Sequence, residues 1–412
     1  MPVKRRHIHD DVVDALGASR AVAVVGPRQA GKSTLVAQIA RTTLGARVTT
    51  LDDDIAREWA LDDPAGFVTQ LGTPAVIDEV QRAPGVLLAI KRVVDSSNAP
   101  GQFLITGSAD LRLMPTVLDT LPGRVEYFNL WPFSQGEING QVETFLDGLR
   151  RGVPPNRGGA PIGLGAYAER IAAGGFPGSL GLSPRRREGF FAGYVDALVG
   201  RGINDVAGIR QPRAIEPLLR LIAARSGAIL KLAGLATDLR IDAKTVGAYI
   251  AVLERLCAVV ILPAWSGNLG HRIVKSPRVH IADTGLHCHL TGIDAAALSE
   301  NHQTAGPVLE TFVVNELLRQ RGWVDRPPTL HHLRSESGNE VDVVAQWPSG
   351  QVAGIEVKAA ATVSRRDFAG LRLMRDRLGD RFVCGVVLHC GEATIPIGDR
   401  LWAVPLEGLW RT

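Results

Sequence analysis

Residues 26 to 33 have the types and spacing of a phosphate-binding loop. They form the pattern Gly-x-x-x-x-Gly-Lys-Ser, which follows the apolar run AVAVV and precedes the helix-like segment KSTLVAQIA. In such a loop the glycines let backbone N–H groups curl around phosphate oxygens, the lysine reaches the terminal phosphates, and the serine hydroxyl binds Mg²⁺. The pattern predicts that ATP and Mg²⁺ are held by Gly26, Pro27, Arg28, Gln29, Ala30, Gly31, Lys32, Ser33 and Thr34.

Two adjacent acids, Asp78 and Glu79, follow the apolar stretch PAVI. Two carboxylates directly after a buried strand are costly unless they meet a cation. We therefore expect Asp78 to hold Mg²⁺ through its water shell, and Glu79 to polarise the water that attacks the terminal phosphate. A pair that only caps a helix is the alternative.

Further polar residues complete this predicted catalytic set. Thr106 and Ser108 lie in the segment QFLITGS, at the end of a third apolar run, where they are placed to orient the attacking water. Arg124 lies on a predicted turn in LPGRVEY. An arginine that reaches the phosphate of a neighbouring subunit accelerates hydrolysis, so this role predicts a homo-oligomer, for which a hexamer is one form. A local ion pair of Arg124 is the alternative. The predicted catalytic residues are Lys32, Asp78, Glu79, Ser108 and Arg124.

Carboxylates recur in the C-terminal part of the chain. Asp342 lies in EVDVV, and Glu356 and Lys358 lie in GIEVKAA. Side chains two apart on a strand share a face, so Glu356 and Lys358 point the same way. Acids on neighbouring strands can together hold Mg²⁺, and a lysine beside them can steady an attacking water. A further acid, Glu310, lies in the helix-like segment PVLETF. A surface ion pair on a solvated sheet is the alternative.

The histidine and cysteine tracts do not predict a metal site. The tracts are HCH at residues 287 to 289 and LHHL around His331 and His332. Adjacent ligands on a helix or strand point in different directions, so neither tract closes a tetrahedral site alone. The four cysteines lack C-x-x-C spacing, which favours a reduced, cytoplasmic setting over a zinc ribbon or a disulfide framework.

Three parts follow one another along the chain. From Ala21 to Asn129 short β-rich runs alternate with helix-like segments, which predicts a parallel sheet covered by helices in a domain of residues 1–149. Residues 150–165 are rich in proline and glycine and predict a linker or mobile loop. The C-terminal part, residues 291–412, has the order αββαβ and predicts a compact α/β domain.

The middle part, residues 166–290, is mainly helical in period. Two short amphipathic helices join at a turn near Arg240 and precede an apolar strand, a pattern typical of a winged helix-turn-helix. Lys244, Thr245 and Tyr249 then lie on the second helix, which in a DNA-binding module enters a groove. An ATPase lid or a packing module is the alternative.

Composition leaves the partner open. The 412 residues carry a formal net charge of +4 with a pI near 9.0, which permits an anionic partner such as DNA without requiring one. A GC-rich genome would produce the same arginine bias. The start MPVKRRHIHDD lacks the apolar core of a signal peptide, and the longest apolar run contains Glu254 and Arg255, so no membrane span is predicted.

Taken together, these motifs resemble prokaryotic AAA-type ATPases that carry a C-terminal domain of unknown function similar to PD-(D/E)xK nucleases. The resemblance rests on GPRQAGKSTL, VIDEVQRAP, LITGSADL, LPGRVEYFNLWPFSQGE, GGFPGSL and EVDVV followed by GIEVKAA. It implies an α/β chain with a P-loop ATPase core, a helical and winged-helix middle and a restriction-endonuclease-like end. In that end the resemblance implies that Glu310, Asp342 and Glu356 are metal ligands, with Lys358 beside them.

Three functions fit this resemblance. The first is an ATP-driven machine that binds or remodels DNA. The second is a nucleotide-controlled switch whose C-terminal domain contacts a protein partner. The third is an ATP-regulated, Mg²⁺-dependent nuclease, although such a fold can be kept for binding after its chemistry is lost.

Overall fold

The computed structural model describes residues 4–108, 123–153, 162–202, 212–265, 276–334 and 339–411. Contacts divide the chain into two units, Met1–Phe133 with Arg255–Cys257, and Ser134–Glu254 with Ala258–Thr412. The predicted domain boundaries at residues 149 and 290 both lie inside the second unit. Of the predicted linker, residues 154–161 lie outside the described residues, and a helix begins at Leu164.

The first unit is built on a five-stranded parallel sheet with the order β2-β3-β4-β1-β5. Its helices and strands are α1 (His9–Ala18), β1 (Ala21–Gly26), α2 (Lys32–Ile39), β2 (Val48–Thr50), α3 (Asp54–Asp62), α4 (Pro64–Leu71), β3 (Ala75–Asp78), α5 (Gly85–Ser96), β4 (Phe103–Ser108) and β5 (Val125–Asn129). The predicted parallel sheet is therefore confirmed.

The central strands of this sheet are buried along their length. Every residue of β1 is buried, and β3 shows the same pattern. Strands covered on both faces need continuous apolar runs, which explains AVAVV and AVI. Since parallel strands point the same way, the carboxyl ends of β1, β3 and β4 meet at one edge of the sheet, where ligands bind in open α/β folds.

The second unit holds the remaining α-helices and two further sheets, one of six strands and one of two. Its elements are α6 (Gln135–Asn139), α7 (Phe145–Arg150), α8 (Leu164–Ala173), α9 (Pro184–Ala197), α10 (Ile215–Ala224), α11 (Leu232–Leu239), α12 (Ala243–Arg255), β6 (Val259–Leu262), β7 (Arg278–Ile281), α13 (Thr284–Thr291), α14 (Ala295–Glu300), α15 (His302–Gln320), β8 (Thr329–Arg334), β9 (Glu340–Gln346), β10 (Val352–Lys358), α16 (Ala369–Leu378), β11 (Phe382–His389), β12 (Ile395–Gly398) and β13 (Leu401–Pro405). None of the described helices in either unit is both long and apolar enough to cross a bilayer.

The predicted pair of helices is present as α11 and α12. The turn between them contains Arg240 with a left-handed φ of 55°, and Asp242 caps α12 by accepting a 2.8 Å hydrogen bond from Thr245 N. The strands β6 and β7 then pair antiparallel. Lys244 is exposed on α12, whereas Tyr249 is buried and belongs to the packed face of the helix. Of the three predicted side chains, Tyr249 is therefore unavailable to a groove.

The C-terminal sheet has six strands in the order β12-β13-β11-β10-β9-β8. The predicted αββαβ order is present, but an additional strand, β8, lies between α15 and β9, and β12 and β13 follow it. The strands β9 and β10 form the predicted hairpin, antiparallel with Ile355 opposite Val343. The helix that contains PVLETF begins five residues before that segment, at His302, because the side chain of Asn301 caps its first turn.

Candidate functional site

The predicted phosphate loop lies between β1 and α2 and has the backbone that its glycines allow. At Gly26 a Cβ atom would lie 2.1 Å from the carbonyl oxygen of Leu130, so only glycine fits there. Gly31, the N-cap residue of α2, has a φ of 98°, a backbone conformation that residues other than glycine rarely adopt. The loop therefore leads straight into a helix N-terminus, where backbone N–H groups and the helix dipole favour an anion.

Lys32 is folded back against its own loop. It is only 4% exposed, and its ammonium donates to the carbonyl oxygens of Gly26, at 3.1 Å, and of Pro27, at 3.0 Å. Burial lowers the pKa of Lys32, and the nearby carboxylates of Glu79 and Asp78 oppose that shift. The Lys32 ammonium would bind phosphate oxygens more strongly than it binds these two neutral carbonyl oxygens, because a charged acceptor strengthens the hydrogen bond.

The second half of the site meets the loop at the edge of the sheet. Ser33 Oγ donates to Asp78 Oδ1 at 3.1 Å, and Thr106 Oγ1 donates to the same oxygen. Thr106 Oγ1 also accepts a 3.0 Å hydrogen bond from Glu79 N. The structure thus brings together the hydroxyl predicted to bind Mg²⁺, both acids and Thr106. An oxygen-rich set of hydroxyl and carboxylate groups is the donor set that Mg²⁺ prefers.

Two supporting residues were absent from the sequence prediction. Arg6 is 7% exposed and donates to Ala30 O at 2.8 Å and to Trp131 O. These hydrogen bonds stabilise the conformation of the phosphate loop. Gln81 donates through its amide to Glu79 Oε2 and thereby fixes the carboxylate predicted to activate water. The contact of Gln81 could have been predicted, because Gln81 stands two residues after Glu79 in the same turn. The contacts of Arg6 could not, since its partners are distant in sequence.

A cavity of about 1010 Å³ borders the first turns of α2. It is large enough for the base and ribose of a nucleotide whose phosphates lie in the loop. Its lining residues come from α2 and from the segment around the start of α1: Arg5, His9, Asp10, Ser33, Thr34, Ala37, Gln38 and Arg41. The residues present therefore fit a magnesium-bound nucleotide.

The remaining predicted catalytic residues lie apart. The backbone of Ser108 pairs with Gly26 at the end of β4, beside the phosphate loop, but the Ser108 side chain lies outside the described residues. Arg124 precedes β5 at the opposite end of the sheet and forms an ion pair with Asp95. Arg124 cannot serve the phosphate loop of its own chain from there, so its predicted role requires a neighbouring subunit.

The C-terminal acids are brought together as predicted. Glu356 Oε1 accepts from Lys358 Nζ at 2.8 Å, and Glu356 Oε2 accepts from Asp342 N at 3.3 Å. Asp342 Oδ2 accepts from Val357 N at 2.9 Å, and Glu310 on α15 lies at the same cluster. Across the described parts of the chain, no group of three or more His, Cys, Asp or Glu side chains is arranged to hold a metal ion. The predicted metal role of these acids stays a prediction.

A buried arginine that the sequence prediction missed lies within this cluster. Arg278, at the start of β7, donates to Asp342 Oδ1 at 3.0 Å and to Glu340 Oε2 at 2.8 Å, and lies 3.4 Å from Glu310 Oε2. The segment PRVHIAD contains a signal for this pairing. An arginine within an apolar strand is expected to be buried, and a buried arginine is almost always paired with an acid. The sequence alone did not identify its acidic partners.

Comparisons with known proteins divide the chain into three matched stretches. Residues 18–139 match the family model described as AAA domain. Residues 164–297 match a domain of unknown function (DUF8612), and residues 305–409 match another (DUF4143). The first match supports an AAA-type P-loop ATPase, in agreement with the loop and the paired acids described above. The C-terminal match brings no function with it.

Whole-chain relatives and solved structures are more distant. The chain is 28% identical over 418 residues to Uncharacterized protein Rv2008c of Mycobacterium tuberculosis and to Uncharacterized protein Mb2031c of Mycobacterium bovis, covering 100% of this chain and 86% of each relative. It resembles C. elegans PCH-2 at 15% identity and a TM-score of 0.22, covering 60% of this chain and 67% of that one. It resembles the STAND protein PH0952 from Pyrococcus horikoshii at 11% identity and a TM-score of 0.26, covering 78% and 47%. TM-scores this low do not define a shared fold.

Proposed function

We propose that the first unit is a Mg²⁺-dependent ATPase and that ATP turnover there controls DNA binding or remodelling by the second unit. The observation that carries the proposal is the convergence of Lys32, Ser33, Asp78 and Glu79 at one edge of a parallel sheet. An AAA domain match over the same stretch supports it.

Hydrolysis joins a water oxygen to the γ-phosphorus and breaks the bond from that phosphorus to the β–γ bridging oxygen, which gives ADP and phosphate. In this proposal Glu79 takes the water proton, and the hydrogen bond from Gln81 supports it by holding the carboxylate in position. Lys32 binds the β- and γ-phosphate oxygens in place of its two carbonyl partners. Ser33 and Asp78 would hold Mg²⁺, which neutralises phosphate charge when bound.

DNA binding by the second unit is supported by exposed positive charge on the helix pair. Lys231 precedes α11, Arg240 lies in the turn, and Lys244 lies in the first turn of α12, and all three are exposed. In helix-turn-helix modules that bind DNA, the second helix lies in the major groove, which is the place that α12 would take. Exposed lysine and arginine contribute the salt-dependent part of such binding.

The test is the ATPase rate with and without single-stranded, duplex and branched DNA. We expect DNA to raise the rate and DNA binding to weaken steeply with salt. Lys244→Ala should lower the salt slope of binding by about one charge. Arg185→Ala, which removes an exposed charge from α9, should leave it unchanged. An ATPase that turns over equally with every DNA and binds none would contradict the DNA proposal and would favour a switch that contacts a protein partner.

We further propose that the ATPase acts as a homo-oligomer in which Arg124 reaches the site of a neighbouring chain. Its place at the far end of the sheet supports this, since from there it cannot reach its own loop; the role also requires Arg124 to leave its ion pair with Asp95. Lys32→Ala chains and Arg124→Ala chains should each be inactive, and an equimolar mixture should recover part of the activity, because some interfaces then combine an intact loop with an intact arginine. A mixture that is no more active than its parts, or a monomer with full activity, would exclude this arrangement.

A further inference from the structure

Arg278 carries an inference about the C-terminal carboxylates. Its side chain is 5% exposed, and its guanidinium contacts carboxylate oxygens of Asp342, Glu310 and Glu340. The acids come from two different elements, α15 and β9, so one guanidinium joins them. A buried charge is normally paired or bound to a metal ion. Here the pairing is supplied by the chain itself.

The oxygens that a metal ion would need are already engaged. Asp342 Oδ1 accepts from Arg278 at 3.0 Å, and Asp342 Oδ2 accepts from Val357 N at 2.9 Å. Glu356 accepts from Lys358 Nζ through one oxygen and from Asp342 N through the other. A divalent cation would have to displace these donors, above all the guanidinium.

The charge of the cluster also disfavours a divalent cation. Besides its carboxylates, the cluster contains the guanidinium of Arg278, 3.0 Å from Asp342, and the ammonium of Lys358, 2.8 Å from Glu356. These two cations already offset part of the negative charge that would attract a divalent ion.

The cluster is nevertheless reachable from solvent. A cavity of about 680 Å³ is lined by Arg278, Glu310 and Glu340 together with residues around Gly227. The Glu310 side chain is 26% exposed. A hydrated cation could therefore approach the acids, and the guanidinium rather than lack of access decides what they bind.

We infer that Arg278 takes the place of a divalent cation in this cluster, so that the nuclease-like carboxylates form a structural ion-pair site that does not cut nucleic acid. Replacing Arg278 with a neutral side chain should convert the same acids into a divalent-cation site. The inference is independent of the ATPase, because none of its residues belongs to the first unit.

The test measures the binding of Mn²⁺ to the nucleotide-free full chain. Calorimetry gives the affinity and the number of ions bound, and the spectrum of the bound ion reports its environment. Arg278→Gln should bind one Mn²⁺ per chain, about 10- to 100-fold more tightly than the wild type. Adding Asp342→Asn to that variant should remove the gain. Mn²⁺ should also raise the melting temperature of Arg278→Gln and leave that of the wild type unchanged, since only a folded-state ligand stabilises.

A matched control is Arg220→Gln, which breaks an exposed pair between Arg220 and Glu216 in the same unit. It should bind Mn²⁺ as the wild type does. If Arg278→Gln fails to fold, the wild type still decides the matter. Tight Mn²⁺ binding by the wild type that Glu356→Gln abolishes, or Mg²⁺-dependent cutting that Asp342→Asn abolishes, would overturn the inference. Absence of both in folded wild type supports it.

Discussion

Lys32→Ala is expected to lower the kcat of ATP hydrolysis by about 10²- to 10³-fold or more, because it removes the only ammonium of the described residues that lies in the phosphate loop. That ammonium is buried and hydrogen-bonded to two loop carbonyls, so it lies within the loop that is predicted to bind the phosphates. ATP binding should weaken as well, since a lysine in this loop contacts both the β- and the γ-phosphate. Phosphate release at saturating ATP and the binding of a fluorescent ATP analogue measure the two effects.

The matched control for this variant is Lys91→Ala, which removes a lysine from α5 in the same unit. Its activity should equal that of the wild type. Far-ultraviolet circular dichroism shows whether either variant has lost its fold. A folded Lys32→Ala protein that keeps most of the wild-type rate would mean that hydrolysis occurs elsewhere.

Glu79→Gln should separate ATP binding from hydrolysis. The amide keeps the size of the side chain but cannot take a proton from water, so we expect kcat to fall by about 10²- to 10⁴-fold. Binding of ATP should change little, because Lys32, Ser33 and Asp78 remain. The variant should therefore accumulate as an ATP-bound form, which nucleotide analysis of the protein after gel filtration would detect.

Glu58→Gln is the control for this second variant, since Glu58 is an exposed acid on α3 in the same unit. It should hydrolyse ATP at the wild-type rate. If Glu79→Gln lost ATP binding to the same degree as hydrolysis, Glu79 would be part of the binding site rather than the base. If hydrolysis were unaffected, another group would activate the water.

The conformation of the loop before α2 could be predicted because its signals are local. A loop of eight residues fixes the path from β1 to α2, and its glycines are needed where they stand. The neighbouring acids follow from a different rule, since the carboxyl ends of parallel strands meet at one edge. Asp78 therefore meets both Ser33 and Thr106, although the three residues are far apart in sequence. Arg6 was missed because no such rule relates it to the loop.

The C-terminal cluster shows where local signals end. The hairpin of β9 and β10 places Asp342 near Glu356 by register, which the sequence pattern contains. The position of Arg278 depends on how β7 packs against that sheet, and no short-range pattern describes it. A residue from another element can thus form ion pairs with acids that a local motif predicts to bind a metal ion. Tyr249 lies on α12 as predicted, but it belongs to the apolar face of that helix and is buried.

The most direct test of the account is a crystal structure of the chain with Mg²⁺ and a non-hydrolysable ATP analogue. We predict that Lys32 Nζ leaves the carbonyl oxygens of Gly26 and Pro27 to bind the terminal phosphates, with Ser33 and Asp78 at the metal ion. An analogue bound away from residues 26–34, or a loop still closed by Lys32 at saturating analogue, would contradict the central claim that this unit binds and hydrolyses ATP.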